Sequence, residues 1–240
     1  MEKAMRLDKF LADMGKGTRS QIREAVQGGR ISVNGVTVKK PELKIKVPGD
    51  TVLFDRMEVA YVTTEYYMLN KPQGVVSATE DKKYKTVVDL IEDKNRRDLF
   101  PVGRLDIDTE GLLLITNDGE LTHRLLSPKR HVDKVYSARC EGRVPEEAAA
   151  LFKEGIELPD GLRCRPADLE LLNVTPDETE VRLTIHEGKF HQVKRMMEAV
   201  GCPVLFLKRL SMGPLSLDET LAPGEYRALT KQEVELLKAL

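Results

Sequence analysis

Residues 103–119 read Gly103-Arg104-Leu105-Asp106-Ile107-Asp108-Thr109-Glu110-Gly111-Leu112-Leu113-Leu114-Ile115-Thr116-Asn117-Asp118-Gly119. The apolar run from Leu112 to Thr116, bounded by turn residues, reads as a buried strand. Asn117-Asp118-Gly119 then turns the chain into Glu120–Leu126, a short amphipathic helix stopped by Ser127-Pro128. Gly103 to Gly111 is therefore a loop feeding a buried strand. Such a loop is a common seat for catalytic side chains, and a structural turn has little use for Arg104, Asp106 and Asp108 together. On spacing alone, Asp108-Thr109 equally suits the capping of a turn.

Downstream and upstream of this loop the pattern alternates. Tyr66 to Lys71 reads as a strand halted by Pro72, with further strands at 112–116, 132–141, 180–186 and 203–209. Helices are expected near 86–92, 119–127, 145–154 and 191–200. A last one begins at Thr230, where Glu233 completes a capping box. Strands and short helices in this order predict an α+β domain on a mixed, largely antiparallel sheet. No glycine spacing supports a dinucleotide or P-loop fingerprint.

The first 60 residues have a different character. Leu7, Phe10 and Leu11 share one helical face, and Gly15-Lys16-Gly17 ends that helix. A second helix from Thr18 places Ile22, Ala25 and Val26 on one side. Ile31–Val33 and Val36–Val38 flank Asn34-Gly35, the strongest two-residue hairpin signal, and Thr51–Phe54 forms another strand. The expected division is a small domain at 1–58, a joint at 59–65 without Gly/Ser flexibility, and a large domain at 66–240.

The chain has 240 residues, 41% hydrophobic and 32% charged, as expected of a globular protein with a proper core. No apolar run approaches the length of a membrane span, and the N-terminus lacks a signal peptide's apolar stretch, so a cytoplasmic protein without membrane contact is expected. Cys140, Cys164 and Cys202 do not form a disulfide framework. His186 and His191 lack metal-ligand spacing, so neither a metal nor another cofactor is expected. The net charge of −1 hides an asymmetry. Residues 1–60 carry 12 Lys and Arg against 8 Asp and Glu, and the remainder 26 against 31. A basic module joined to an acidic body suits a polyanion partner, and Lys16, Arg19 and Arg23 lie around the start of the second helix.

Two other segments can carry chemistry. Lys134-Val135-Tyr136-Ser137-Ala138-Arg139-Cys140 is a strand pattern. Glu187-Gly188-Lys189-Phe190-His191-Gln192-Val193-Lys194-Arg195 runs from a turn into a helix, where His191 shares faces with Lys194 and Arg195. A basic, aromatic-flanked helix start can meet a phosphate or a carboxylate.

With these segments in this order, the chain resembles the pseudouridine synthases of the RsuA type. Residues 5–55, above all Arg30-Ile31-Ser32-Val33-Asn34-Gly35, resemble the small RNA-binding domain shared by a small-subunit ribosomal protein and several RNA enzymes. The resemblance implies that Asp106, in Gly103-Arg104-Leu105-Asp106, is the essential Asp, that Tyr136 is the active-site Tyr, and that Lys194 is the basic residue. It further implies substrate contacts from Arg104, Gln192, His191 and Arg195, and RNA contacts from Lys16, Arg19 and Arg23. The implied reaction detaches uracil from its ribose, turns it and reattaches it through carbon 5, with Asp106 as nucleophile and no redox step. Arg104 is expected in the space vacated by a flipped base, or on a neighbouring phosphate. His191-Gln192-Val193-Lys194-Arg195-Met196 resembles the motif of enzymes that modify small-subunit RNA. The expected partner is thus a folded or partly assembled 16S ribosomal RNA, met by a monomeric enzyme. Three other readings stand beside this one: the same reaction on large-subunit RNA, a non-catalytic ribosome-assembly protein, and a glycoside hydrolase using Asp106 and Asp108.

Overall fold

A computed structural model of the chain describes residues 3–127 and 129–240; Pro128, expected to stop a helix, lies outside the described residues. The chain forms two units, one of Met1–Glu65 with Glu92–Leu99, the other of Tyr66–Ile91 with Phe100–Leu240.

The first unit contains β1 (Lys3–Arg6), α1 (Leu7–Asp13), α2 (Arg19–Gln27), β2 (Ile31–Val33), β3 (Val36–Thr37), β4 (Lys44–Val47), β5 (Val52–Phe54) and β6 (Met57–Glu58). Helix α2 starts where Thr18 caps it: the Thr18 hydroxyl accepts from Gln21 N–H at 3.3 Å, and the Gln21 side chain accepts from Thr18 N–H at 2.8 Å. Leu7, Phe10 and Leu11 meet Ile22, Ala25 and Val26 in one core. Asn34 and Gly35 both have positive φ, 50° and 78°, as a tight hairpin turn between twisted strands demands. The sheet order is β3-β2-β5-β6, all antiparallel, and β1 pairs separately with β4. The expected joint at 59–65 is instead part of this unit. Val59 is buried in its core, and Tyr61 and Val62 pack against it, because these apolar side chains have a face to cover. The Glu65 carboxylate accepts from Asn95 Nδ2 at 2.7 Å and from Arg96 N–H at 3.0 Å, which builds the 92–99 segment into the same unit.

The second unit contains β7 (Tyr66–Lys71), β8 (Phe100–Pro101), β9 (Glu110–Thr116), α3 (Gly119–Leu126), β10 (Lys134–Glu141), α4 (Ala148–Glu154), β11 (Asp168–Val174), β12 (Glu178–Ile185), α5 (Gln192–Ala199), β13 (Val204–Met212), β14 (Leu215–Ser216), β15 (Tyr226–Ala228) and α6 (Lys231–Lys238). Its sheet runs β11-β12-β10-β13-β9-β7-β15, with β14 on β13 and β8 on β9. Among the described strands, only β13 and β9 pair in parallel. Strand β9 is buried on both faces, which explains its unbroken apolar run. Leu112 and Leu114 face Leu121 and Leu125 of α3 and Leu237 of α6. Gly111 makes the central pairing feasible. Its φ is +104°, and a Cβ there would lie 2.2 Å from the Arg209 carbonyl oxygen.

No helix forms near 86–92; Val87, Val88 and Ile91 are buried in a turn. The Asp89 carboxylate accepts from Thr86 N–H and hydroxyl at 2.9 and 2.8 Å, so a local side-chain bond takes the place of a helical one. The three cysteines are buried and free, and burial pushes the Cys140 thiol up to about 12. No helix of the described residues is long and apolar enough to cross a membrane.

Candidate active site

The 103–109 loop is held from behind by its own backbone groups. The Ser77 hydroxyl donates to the Leu105 carbonyl at 2.8 Å and accepts from Leu105 N–H at 3.0 Å, and Gly74 N–H donates to the Ile107 carbonyl at 2.8 Å. Lys71, fully buried at the end of β7, donates to the Pro72 and Thr109 carbonyls, each at 2.9 Å. Burial brings the Lys71 ammonium down to about 8, a shift that the nearby Asp108 and Asp106 carboxylates limit. With its main chain so occupied, the loop presents Arg104, Asp106 and Asp108 outward.

The opposing elements are the turn before α5 and strands β10 and β13. Glu187, nearly buried, accepts from Gln192 Nε2 at 2.8 Å and Arg165 N–H at 2.9 Å, while Gln192 Oε1 accepts from Lys189 N–H at 2.9 Å. This network sets His191 in the left-handed region, φ 49°, an unfavourable backbone for a side chain of its size and one that clusters at functional sites. His191 Nε2 then lies 3.5 Å from Asp106 Oδ1. One helical turn on, Lys194 Nζ sits 3.2 Å from Asp106 Oδ2 and 2.5 Å from Asp108 Oδ1. Burial alone would lower the Lys194 pKa, but its bonds to Asp108 and Asp106 outweigh burial and raise it. The hydrogen bond from Lys194 in turn holds the Asp108 carboxyl below its ordinary range. A glycoside hydrolase needs one carboxyl of its pair to keep a proton. Asp108, held ionised by this cation, does not suit that task.

A cavity of about 600 Å³ opens here, lined among others by Arg104, Asp106, Tyr136, His191, Lys194 and Arg209. Tyr136 is buried on β10, directly across from Arg209 of β13. Arg104 is exposed at the cavity and has no hydrogen bond or ion pair among the described residues. Gln192 lines the cavity, but the bonds just described occupy its amide, so its evident work is shaping the turn. Arg195, expected to contact substrate, is not among the residues that line the cavity. It reaches Asp160 at 2.5 Å, on the side of α5 turned from the cavity lining, because a carboxylate is available there. In the other unit, Lys16, Arg19 and Arg23 are all exposed around the start of α2.

The sequence reading missed four residues. Phe190 is 73% exposed and stacks on His191, with ring centroids 3.8 Å apart and planes 19° from parallel. Lys71 braces the loop, and Lys134 and Arg209 line the cavity while almost wholly buried. A Lys-Pro pair and isolated strand cations carry no periodic signal; only burial distinguishes them. Among the described residues, no group of three His, Cys, Asp or Glu could hold a metal ion.

An acidic loop ahead of a buried strand is thus answered by a lysine and a histidine across a cavity, which is the arrangement of an enzyme site. The chain belongs to the RNA pseudouridylate synthase family, whose model matches residues 65–199, and an S4 domain model matches residues 5–52. It is an RNA pseudouridine synthase. The uncharacterized RNA pseudouridine synthase YtzG of Bacillus subtilis (strain 168) is 48% identical over 236 residues, covering 97% of this chain and 98% of the relative. Ribosomal small subunit pseudouridine synthase A of Escherichia coli (strain K12) is 42% identical over 232 residues, 96% of this chain and 98% of the relative. A solved pseudouridylate synthase superimposes with a TM-score of 0.68 at 40% identity, covering 97% of this chain and 99% of the other.

Proposed function

We propose that the enzyme isomerises one uridine of small-subunit ribosomal RNA to pseudouridine, with Asp106 as the nucleophile. The observation that carries the chemistry is the seat of Asp106, between the Lys194 ammonium and the His191 ring at the edge of a cavity with room for a flipped nucleotide. The Lys194 ammonium, 3.2 Å from Asp106 Oδ2, orients the carboxylate that is to act as nucleophile. Tyr136, on the cavity wall, stacks on the uracil. Arg104, with no partner to leave, fills the space from which the base has turned out, and the Phe190–His191 ring pair offers an aromatic platform to an unstacked neighbouring base. The choice of small-subunit RNA is supported by the near full-length likeness to the E. coli enzyme of that name.

The small unit is assigned the grip on folded RNA, through Lys16, Arg19 and Arg23. A module of this size contacts phosphates and shape more than linear sequence. Folded RNA or a partly assembled subunit is therefore the better substrate, and a short oligonucleotide the poorer one. Pseudouridine mapping in cells with and without the gene tests the assignment. One small-subunit site should vanish; a site lost from large-subunit or transfer RNA, with the small subunit unchanged, overturns it.

A further inference from the structure

Beyond Asp106, Tyr136 and Lys194, the same cavity is lined by two buried cations to which no role has yet been given. Arg209 is 2% exposed and Lys134 8%. Neither takes part in an ion pair among the described residues. Arg209 Nε donates to the Leu112 carbonyl at 2.8 Å, and Lys134 Nζ donates to the Val132 carbonyl at 3.0 Å. The Arg209 Nη2 group, by contrast, is buried with no hydrogen-bond partner. Burying a charge without a counter-ion is costly, and a single main-chain hydrogen bond at each position does not supply one. Burial, and then the proximity of Arg209, bring the Lys134 ammonium down to about 8, so the two cations oppose each other in the free enzyme. An electropositive cavity wall with an unused N–H lacks an anionic or carbonyl partner.

The reaction supplies one. Breaking the N1–C1′ bond leaves its electron pair on the base, where the charge spreads over N1, O2 and O4. After the base turns, the pair closes the C5–C1′ bond, the C5 proton leaves and N1 takes up a proton, so nothing is gained or lost overall. Between those events, with Asp106 engaging the sugar carbon, the detached uracil is an anion with two carbonyl oxygens. We propose that Arg209, reinforced by Lys134, is a catalytic residue that donates from Nη2 to a uracil carbonyl oxygen and holds the negative charge of the detached base. Its benefit is confined to the charged intermediate and the transition states around it, as with preorganised donors elsewhere. The assignment rests on the reading that places the reaction in the Asp106 cavity.

The test uses full-length enzyme in single turnover on ribosomal RNA transcripts made with uridine or with 5-fluorouridine, reading the carbon-linked nucleoside after digestion: pseudouridine from the first and, because C5 there carries fluorine and has no proton to lose, the 5-fluoro product with water added at C6 from the second. Fluorine stabilises the detached base as an anion and so reduces the need for a protein cation. Arg209→Gln is expected to slow the uridine reaction about 100-fold or more, with RNA affinity and melting temperature near those of the wild type. Arg209→Lys should restore part of the rate, and the deficit of Arg209→Gln should shrink severalfold on the fluorinated RNA. An equal deficit on both RNAs, or one matched by a fall in RNA affinity, overturns the proposal. Should Arg209→Gln fail to fold, Lys134→Gln provides the same comparison, and an unchanged or base-independent rate there overturns it equally. Asp106→Asn separates the two readings: if that variant stays active, the reaction does not lie in this cavity at all.

Discussion

Lys194 holds two carboxylates at once, and its substitution should therefore differ in kind from that of Asp106. Asp106→Asn keeps the side chain's shape and removes its charge, so turnover should fall at least about 100-fold while RNA affinity and melting persist; tritium release from C5-labelled RNA measures it. Lys194→Met leaves the attacking atom in place but strands Asp106 and Asp108 side by side without their cation. Without the ammonium the Asp106 carboxylate loses the donor that fixes it, so turnover should fall, though less than in Asp106→Asn, with RNA affinity and melting near those of the wild type. Wild-type turnover in this variant would refute the pairing. The motif resemblance singled out Asp106 and Lys194; spacing alone left Asp108 equally suited to capping a turn. Arg195 shows the limit of helical-face reasoning. It shares a face with His191 at i+4, yet Asp160, distant in sequence, claims it.

At the scale of elements, local signals were read well and non-local ones poorly. Thr18 and Thr230 mark their helix starts because the capping bonds join residues three apart. The 86–92 segment has a helix-like apolar spacing, but the Thr86–Asp89 bonds close a turn first. Strand β11 exists through its pairing with β12 and buries only Leu169 well, so its sequence shows little alternation. The β9–β13 pairing depends on Gly111. Gly111→Ala should cost about 2–4 kcal/mol, combining a strained positive φ with overpacking against Arg209, measurable by urea unfolding. Helix α6 is fastened by Arg227, which bonds Asp218 at 2.7 Å and Glu233 at 2.8 Å. The Arg227 hydrogen bond, chiefly, brings Glu233 from 4.5 to about 2, and the Thr220 hydroxyl followed by Arg227 brings Asp218 to about 2. A lowered carboxyl pKa stabilises the fold above its unfolded value and ceases to do so as pH falls through the folded one. Arg227→Met should thus unfold at lower urea than the wild type at pH 7, and the gap should close between pH 4.5 and about 2.

For the whole molecule, the charge asymmetry predicts a separable electrostatic contribution. Replacing Lys16, Arg19 and Arg23 together by Gln should weaken ribosomal RNA binding and make the slope of log K against log salt shallower by about 2, near 0.7–0.9 for each phosphate no longer neutralised. Turnover at saturating RNA should be unchanged. An unaltered slope would remove the small unit from RNA binding. The change of composition put the expected boundary at residue 58, short of Glu65 where the first unit's opening segment ends, and the return of 92–99 was not legible, since no local pattern announces a partner 30 residues back. That return has a consequence for how the protein is made and cut. The chain passes between its units three times, so the first unit is incomplete on the ribosome until Leu99 has emerged, when part of the second has already been synthesised. A single proteolytic nick within 59–65 should release neither piece under native conditions, because Glu92–Leu99 stays fastened to the N-terminal fragment through Asp13, whose carbonyl accepts from Arg97 N–H at 3.1 Å and whose carboxylate lies 3.6 Å from Arg96; gel filtration of the nicked protein would show one peak.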